Sequence, residues 1–172
     1  MPHMVRLLLV ALPLLALACD SGVADGQRAF EDQALLSPAE GITRTDERAA
    51  VLSRDSSDWR IGPAYLGRVR FLELPYPNPA PVGSAVSFLV DTEGVAGGLE
   101  LAAVVRTGTG RVDLVRILDP GARRADATAP GFYPFSVSAG QIDVDGGGGL
   151  TRVVLLDGRG GVVSYGDVQV DP

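Results

Sequence analysis

From Leu66 to the end, the chain is a series of short apolar stretches, each cut off by Gly, Pro or Asp before it reaches helical length. Arg68–Glu73 and Ser84–Asp91 alternate polar with apolar residues, the period of a strand with one face buried. Leu99–Arg106 is an apolar β-type run, and a Thr107–Gly110 turn separates it from Arg111–Leu118. In that stretch Val112 and Leu114 give way to the shifted phase of Val115 and Ile117, which predicts a bulge. Phe132–Val137 is the next strand, with Pro134 marking it as an edge. Leu150–Leu156, a tight 157–161 turn and Val162–Val170 form a closing hairpin. About seven short strands with no long helix among them predict an all-β sandwich over residues 66–172.

Residues 19–65 lack such a pattern and read as a tether and a mostly irregular approach segment. Asp20–Gly26 is small and polar, as flexible linkers are. A short helix is expected between Arg28 and Leu36, with Phe30, Ala34 and Leu35 on one face. Ser37-Pro-Ala-Glu40 has the composition of a helix start, and 45–52 of one more helical turn. Trp59, the only tryptophan, is expected to plug the approach segment against the sandwich edge; a ligand-stacking role is the alternative.

The first eighteen residues have the three parts of an export signal: positive Arg6, the apolar run from Leu7 to Ala18, and small Ala18 as a cleavage site. A helix over that run rises roughly 18 Å, well short of the ~30 Å hydrocarbon core of a bilayer. The only cysteine follows at once, in Ala16-Leu17-Ala18-Cys19. This resembles a bacterial lipobox and implies a lipid on the Cys19 sulfur, such as diacylglyceryl and palmitate chains. Two or more chains anchor stably where a single one binds marginally. An ordinary secretory signal, leaving Cys19 as a free thiol, is the alternative. The resemblance implies an exported protein on the periplasmic or cell-surface side of a membrane, the outer membrane foremost.

Composition narrows the chemistry. Beyond residue 18 there are 14 arginines, no lysine and 21 acids, a balance of −7. Nucleic-acid backbones demand basic patches, which this chain lacks. The sole histidine, His3, lies in the signal segment, so the remainder has none. That excludes Ser-His-Asp and Cys-His catalysis and His/Cys zinc or haem sites from residues 19–172. No cofactor is expected other than the covalent lipid on Cys19. Paired carboxylates remain as a route to catalysis; Asp55 and Asp58 are close in sequence but lie ahead of the strand-patterned part. Asp143-x-Asp145-x-Gly147 resembles the start of a calcium loop but lacks the later ligands, and a Gly-rich turn is the simpler reading. Gly146–Gly149 lacks the lysine and the helix of a phosphate loop.

Pro75-Tyr76-Pro77-Asn78-Pro79 is the second distinctive stretch, and Asn78 is the chain's only asparagine. Its prolines predict an extended, polyproline-like segment, with the Asn78 amide bonding nearby backbone to fix the turn into the next strand. Tyr76-Pro77-Asn78-Pro79 resembles the signature that opens the immunoglobulin-like C-terminal domains of type IX secretion cargo and of flagellar hook-capping proteins. The resemblance covers about residues 66–170, with Thr151 where the family often has an aromatic. It implies an immunoglobulin-like or fibronectin III-like fold and, in that family, a sorting role. The chain ends in Asp171-Pro172, where sorting domains commonly carry a basic tail, and almost nothing but the tether precedes the domain. The expectation is a membrane-anchored envelope lipoprotein with a non-catalytic sandwich. It would contact an envelope protein or glycan through the 119–131 loop and the Pro134 edge. A secretion-linked sorting module and a carboxylate hydrolase are the alternatives.

Overall fold

The computed structural model describes residues 22–106, 112–116 and 123–172. The expected export segment, Cys19, the expected Thr107–Gly110 turn, Ile117 and the first part of the 119–131 loop lie outside the described residues. A helix, α1 (22–36), comes first. The strands that follow are β1 (Arg44–Thr45), β2 (Val51–Ser53), β3 (Arg60–Ile61), β4 (Val69–Tyr76), β5 (Ala80–Pro81), β6 (Ala85–Thr92), β7 (Leu99–Arg106) and β8 (Val112–Arg116). After them come β9 (Arg123–Arg124), β10 (Gly131–Ser138), the single-turn helix α2 (Ala139–Ile142), β11 (Gly149–Asp157) and β12 (Val162–Asp171).

Two sheets face each other. One has the order β10-β6-β4; the other has the order β3-β12-β11-β7-β8, with β5 beside β12 and β9 beside β7. The first, second and fifth long strands thus share one sheet and the other four share the second. This is the strand distribution of an immunoglobulin-like, fibronectin III-like sandwich. The all-β fold class expected from the strand spacing is what the chain adopts.

Period-two alternation builds the core. Val86, Phe88 and Val90 of β6 and Tyr133, Phe135 and Val137 of β10 point inward to meet Leu99, Leu101, Val153, Leu155, Val163 and Val168 of the other sheet. The Phe88 and Phe135 rings stack 4.7 Å apart. β10 lies at a sheet edge, as Pro134 predicts. β8 pairs with β7 in unbroken register over 112–116. The two register breaks in the smaller sheet fall in β4 instead, at 71–73 and 73–76.

The central strands of the larger sheet are apolar on both faces. On the outer one, Ala102, Val104, Val154, Leu156, Val162 and Tyr165 form a second apolar layer with Phe30 and Ala34 of α1. Burial on both faces is why Leu101–Val105 is apolar without a break. The face of α1 expected from Phe30, Ala34 and Leu35 is the face that packs. The helix starts earlier than expected, and its closing Ser37 N–H still bonds the Gln33 carbonyl at 3.2 Å. Pro38 then ends it.

Several expectations for residues 19–65 are corrected. Residues 38–40 are not helical, and 44–53 form a two-stranded hairpin rather than a helical turn. The stretch from 22 to 65 is not a free tether: Phe30, Ala34, Thr43, Thr45, Asp58 and Trp59 are all buried. The expected boundary between residues 65 and 66 does not coincide with a break in packing, because Trp59 belongs to the inter-sheet core. Local pattern does not reveal this, because many partners of these residues lie more than a hundred positions away.

Candidate functional site

Trp59 occupies the open flank of the sandwich, in ring contact with Phe71 and Phe88 at 5.6 and 6.1 Å. Its backbone N–H donates to the Tyr165 carbonyl at 2.8 Å, and its φ of 55° turns the chain into β3. Gly166 on β12 makes room: a Cβ there would collide with the Trp59 ring and with Asp58 Oδ1. Trp59 is therefore the plug that the sequence predicts, and at 3% exposure its ring offers no stacking platform.

A buried polar network continues from this plug. Asp58 accepts the Thr43 N–H through Oδ2 and the Asp167 N–H through Oδ1, both at 2.7 Å. Burial pushes its pKa up to about 6, against the pull of those two donors, and the neighbouring Asp167 charge adds to the rise. Asp167 forms a two-point ion pair with Arg152, in which Nε donates to Oδ1 and Nη2 to Oδ2. Asp167 Oδ2 also accepts the Glu40 N–H at 3.0 Å. Arg152 reaches on to the carbonyls of Gln33, Ala34 and Pro38 at 3.4, 3.3 and 3.0 Å. Its guanidinium lies 4.8 Å above the Tyr165 ring. Gln33 and Ala34 lie in the last turn of α1 and Pro38 just past it, where a cation is favoured. The network fastens the 33–58 segment to β11 and β12.

The Tyr76–Pro79 signature joins the same fastening. Asn78 is fully buried, and its Nδ2 donates to the carbonyls of Thr43 and Asp167 at 3.1 and 2.9 Å. Its Oδ1 accepts the Gln169 N–H at 3.0 Å, and its backbone exchanges two bonds with Thr45. The amide thus donates twice and accepts once, a combination that neither aspartate nor a hydroxyl reproduces. The expected local turn bond is corrected: the amide spans 35 to 91 residues of sequence. The expected polyproline rod is corrected too: the chain bends at Pro77 and Pro79 on either side of the Asn78 bridge to Thr45.

The other singled-out acids do not converge. Asp55 is held below the usual carboxylate range by the Ser57 hydroxyl and N–H, and it accepts both with Oδ1. Asp58 points into the network, so the two carboxylates do not bracket a cleft. Asp143 Oδ2 accepts the Gly148 N–H at 2.9 Å and closes a turn, while Asp145 is exposed. Among the described residues no three His, Cys, Asp or Glu side chains gather as a metal site.

The two sheets differ in what lies outside them. α1 covers the larger sheet; the outer face of β4, β6 and β10 has no such cover among the described residues. Leu72 and Phe132 are 45% and 66% exposed there. Phe132 sits opposite Asp91, which pairs with Arg70 at 2.6 Å, and Pro134 sits opposite Leu89 in the next row. Ser87 and Ser136 follow, with their hydroxyls 3.2 Å apart. Pro134 thus lies on this uncovered face, on the strand at its edge. The described part of the 119–131 loop is pinned at Ala127, which is buried, and by Tyr133 Oη, which bonds the Asp126 and Ala129 carbonyls, while Asp126, Thr128, Ala129 and Pro130 are exposed. Sequence reasoning misses Leu72 and Phe132, although Phe132 stands out as an aromatic in the solvent-facing phase of its strand.

No protein-family model matches this chain, and no curated protein matches it. Among solved structures, a β-glucosidase from Listeria innocua aligns with 69% of this chain and 16% of its own length. The two are 13% identical with a TM-score of 0.34, a likeness too slight to carry fold or activity. No helix among the described residues is long and apolar enough to cross a membrane.

Proposed function

We propose that this protein is an exported lipoprotein, anchored through acylated Cys19, whose sandwich works by contact rather than catalysis. The observation that supports it most is the asymmetry of the two sheets. One outer face is sealed by α1; the other presents Phe132, Leu72, Leu89 and Pro134 around the Arg70–Asp91 pair. Exposed apolar side chains gathered on one sheet face beside charged groups suit a contact surface. The buried ionisable groups do not offer a competing centre. Asp58, Arg152 and Asp167 are all engaged with backbone groups and with each other.

Mass spectrometry of the mature N-terminus, together with membrane fractionation, tests the anchoring. The expected result is a chain beginning at Cys19, heavier by a diacylglyceryl group and its acyl chains, in the membrane fraction. A Cys19→Ser variant is expected in the soluble fraction. An unmodified thiol on protein released by osmotic shock would refute the anchoring.

A further inference from the structure

The chain between a lipid on Cys19 and the first turn of α1 is very short. Three residues reach at most about 10 Å when fully extended. α1 itself cannot swing out to lengthen that leash. Gln27 donates to the Val162 carbonyl at 2.8 Å and accepts the Ala64 N–H at 3.1 Å. Glu31 accepts the Val162 N–H at 3.3 Å, and Phe30 is buried against Tyr165. The start of α1 is thereby fixed to one end of the sandwich, where the 62–68 segment and the turn between β11 and β12 also lie. Tyr65 ties these two together by donating to Asp157 at 2.9 Å.

That end carries two of the large exposed apolar side chains, Val23 at 48% and Leu66 at 66%. Arg28, Arg68 and Arg159 are exposed at the same end, with the exposed acids Glu93, bonded through its N–H to the Arg68 carbonyl, and Asp126 beside them. The exposed acid on the first turn of α1, Asp25, is 3.8 Å from Arg28. Apolar side chains flanked by arginines suit the headgroup boundary of a bilayer, where the former insert and the latter meet phosphates.

We infer that this end of the sandwich, centred on Val23 and Leu66, rests against the lipid surface as a second contact beside the anchor. The inference rests on the anchoring of Cys19. Strands of eight to ten residues put the opposite end about 30 Å further out. That end carries the 77–84 segment, the 139–148 connection and the close of β12. The leash therefore selects which loops face the envelope and which face the membrane. The described part of the 119–131 loop falls on the membrane side, and the Pro77–Ser84 segment on the far side.

Site-directed spin labelling of the full lipidated chain tests this. Leu66→Cys, Val23→Cys and Val82→Cys each place a label at an exposed position, two at the near end and one at the far end. The proteins are reconstituted in vesicles of three parts zwitterionic to one part anionic phospholipid. Collision with lipid-soluble oxygen is compared with collision with a water-soluble nickel chelate. The oxygen-to-chelate ratio is expected to be several-fold higher at Leu66→Cys and Val23→Cys than at Val82→Cys. Equal ratios at both ends, on vesicle-bound protein, would overturn the orientation and leave the anchor standing. Acylation blocks the only native cysteine, so the unsubstituted chain is expected to take up no label. Labelling at Cys19 would refute the anchoring itself and the orientation with it.

Discussion

Replacing Arg152 by methionine tests the polar network that ties α1 to the sheet. Methionine keeps much of the side-chain volume and removes the guanidinium of a residue that is only 8% exposed. Three consequences follow from the contacts. Asp167, 4% exposed, loses the cation that both of its oxygens face. The Gln33, Ala34 and Pro38 carbonyls lose a donor, and Tyr165 loses the charge above its ring. Stranding one partner of a buried ion pair costs about 3–5 kcal/mol, a large part of the roughly 5–15 kcal/mol typical of a domain. With a urea m-value of about 2 kcal/mol/M, the unfolding midpoint falls by about 1.5–2.5 M. Trp59 fluorescence reports the transition, because the only tryptophan lies between the sheets. Hydrogen exchange should show the backbone amides of residues 22–36 losing protection before those of β11. Adding Asp167→Asn removes the stranded charge and is expected to recover at least half of the loss. A midpoint shift below about 0.3 M, the scale of an exposed ion pair, would refute the reasoning.

Asp58 makes stability depend on pH, and the sign is unusual for a carboxylate. Its folded pKa of about 6 lies above the ordinary 3.8, so the folded state holds the proton more tightly. Stability is then expected to rise as pH falls from about 6 towards 4, by on the order of 3 kcal/mol from this group. Denaturant titrations across that window should show the rise, and Asp58→Asn should abolish this component. Asn78→Ala strands the Gln169 N–H and the Thr43 and Asp167 carbonyls. At about 1–3 kcal/mol for each buried unmet group, it should lose at least about 3 kcal/mol by the same titration. A fragment of residues 66–172 lacks α1, Asp58 and Trp59, and deleting a core aromatic alone costs about 3–5 kcal/mol. Its circular dichroism is expected to lack a cooperative thermal transition, and a sharp transition near that of the full chain would contradict the packing described above.

Much of the architecture was legible because its causes are local. The alternation in 85–91 and the Gly, Pro and Asp breaks mark strands and turns whatever lies around them. Pro134 marked an edge because a proline cannot donate to a neighbouring strand. The helical face of Phe30 and Ala34 was readable from their spacing of four. The 45–52 stretch was misread because its composition tolerates a helical turn, while backbone bonds between residues 44–45 and 51–53 draw it into a hairpin.

By itself the sequence determined the succession of long strands after residue 66, the all-β class and the absence of histidine beyond residue 18. Tertiary structure alone decided that residues 22–65 belong to the body, that Asn78 is a long-range staple, and that α1 covers one sheet while the other has no such cover among the described residues. The physical reason is reach. Periodicity reports which way a side chain faces over a few residues, whereas Arg152 meets Gln33 across 119 positions and Asn78 meets Asp167 across 89. Only the folded chain brings such donors and acceptors within bonding distance, and burial then makes each of those bonds necessary.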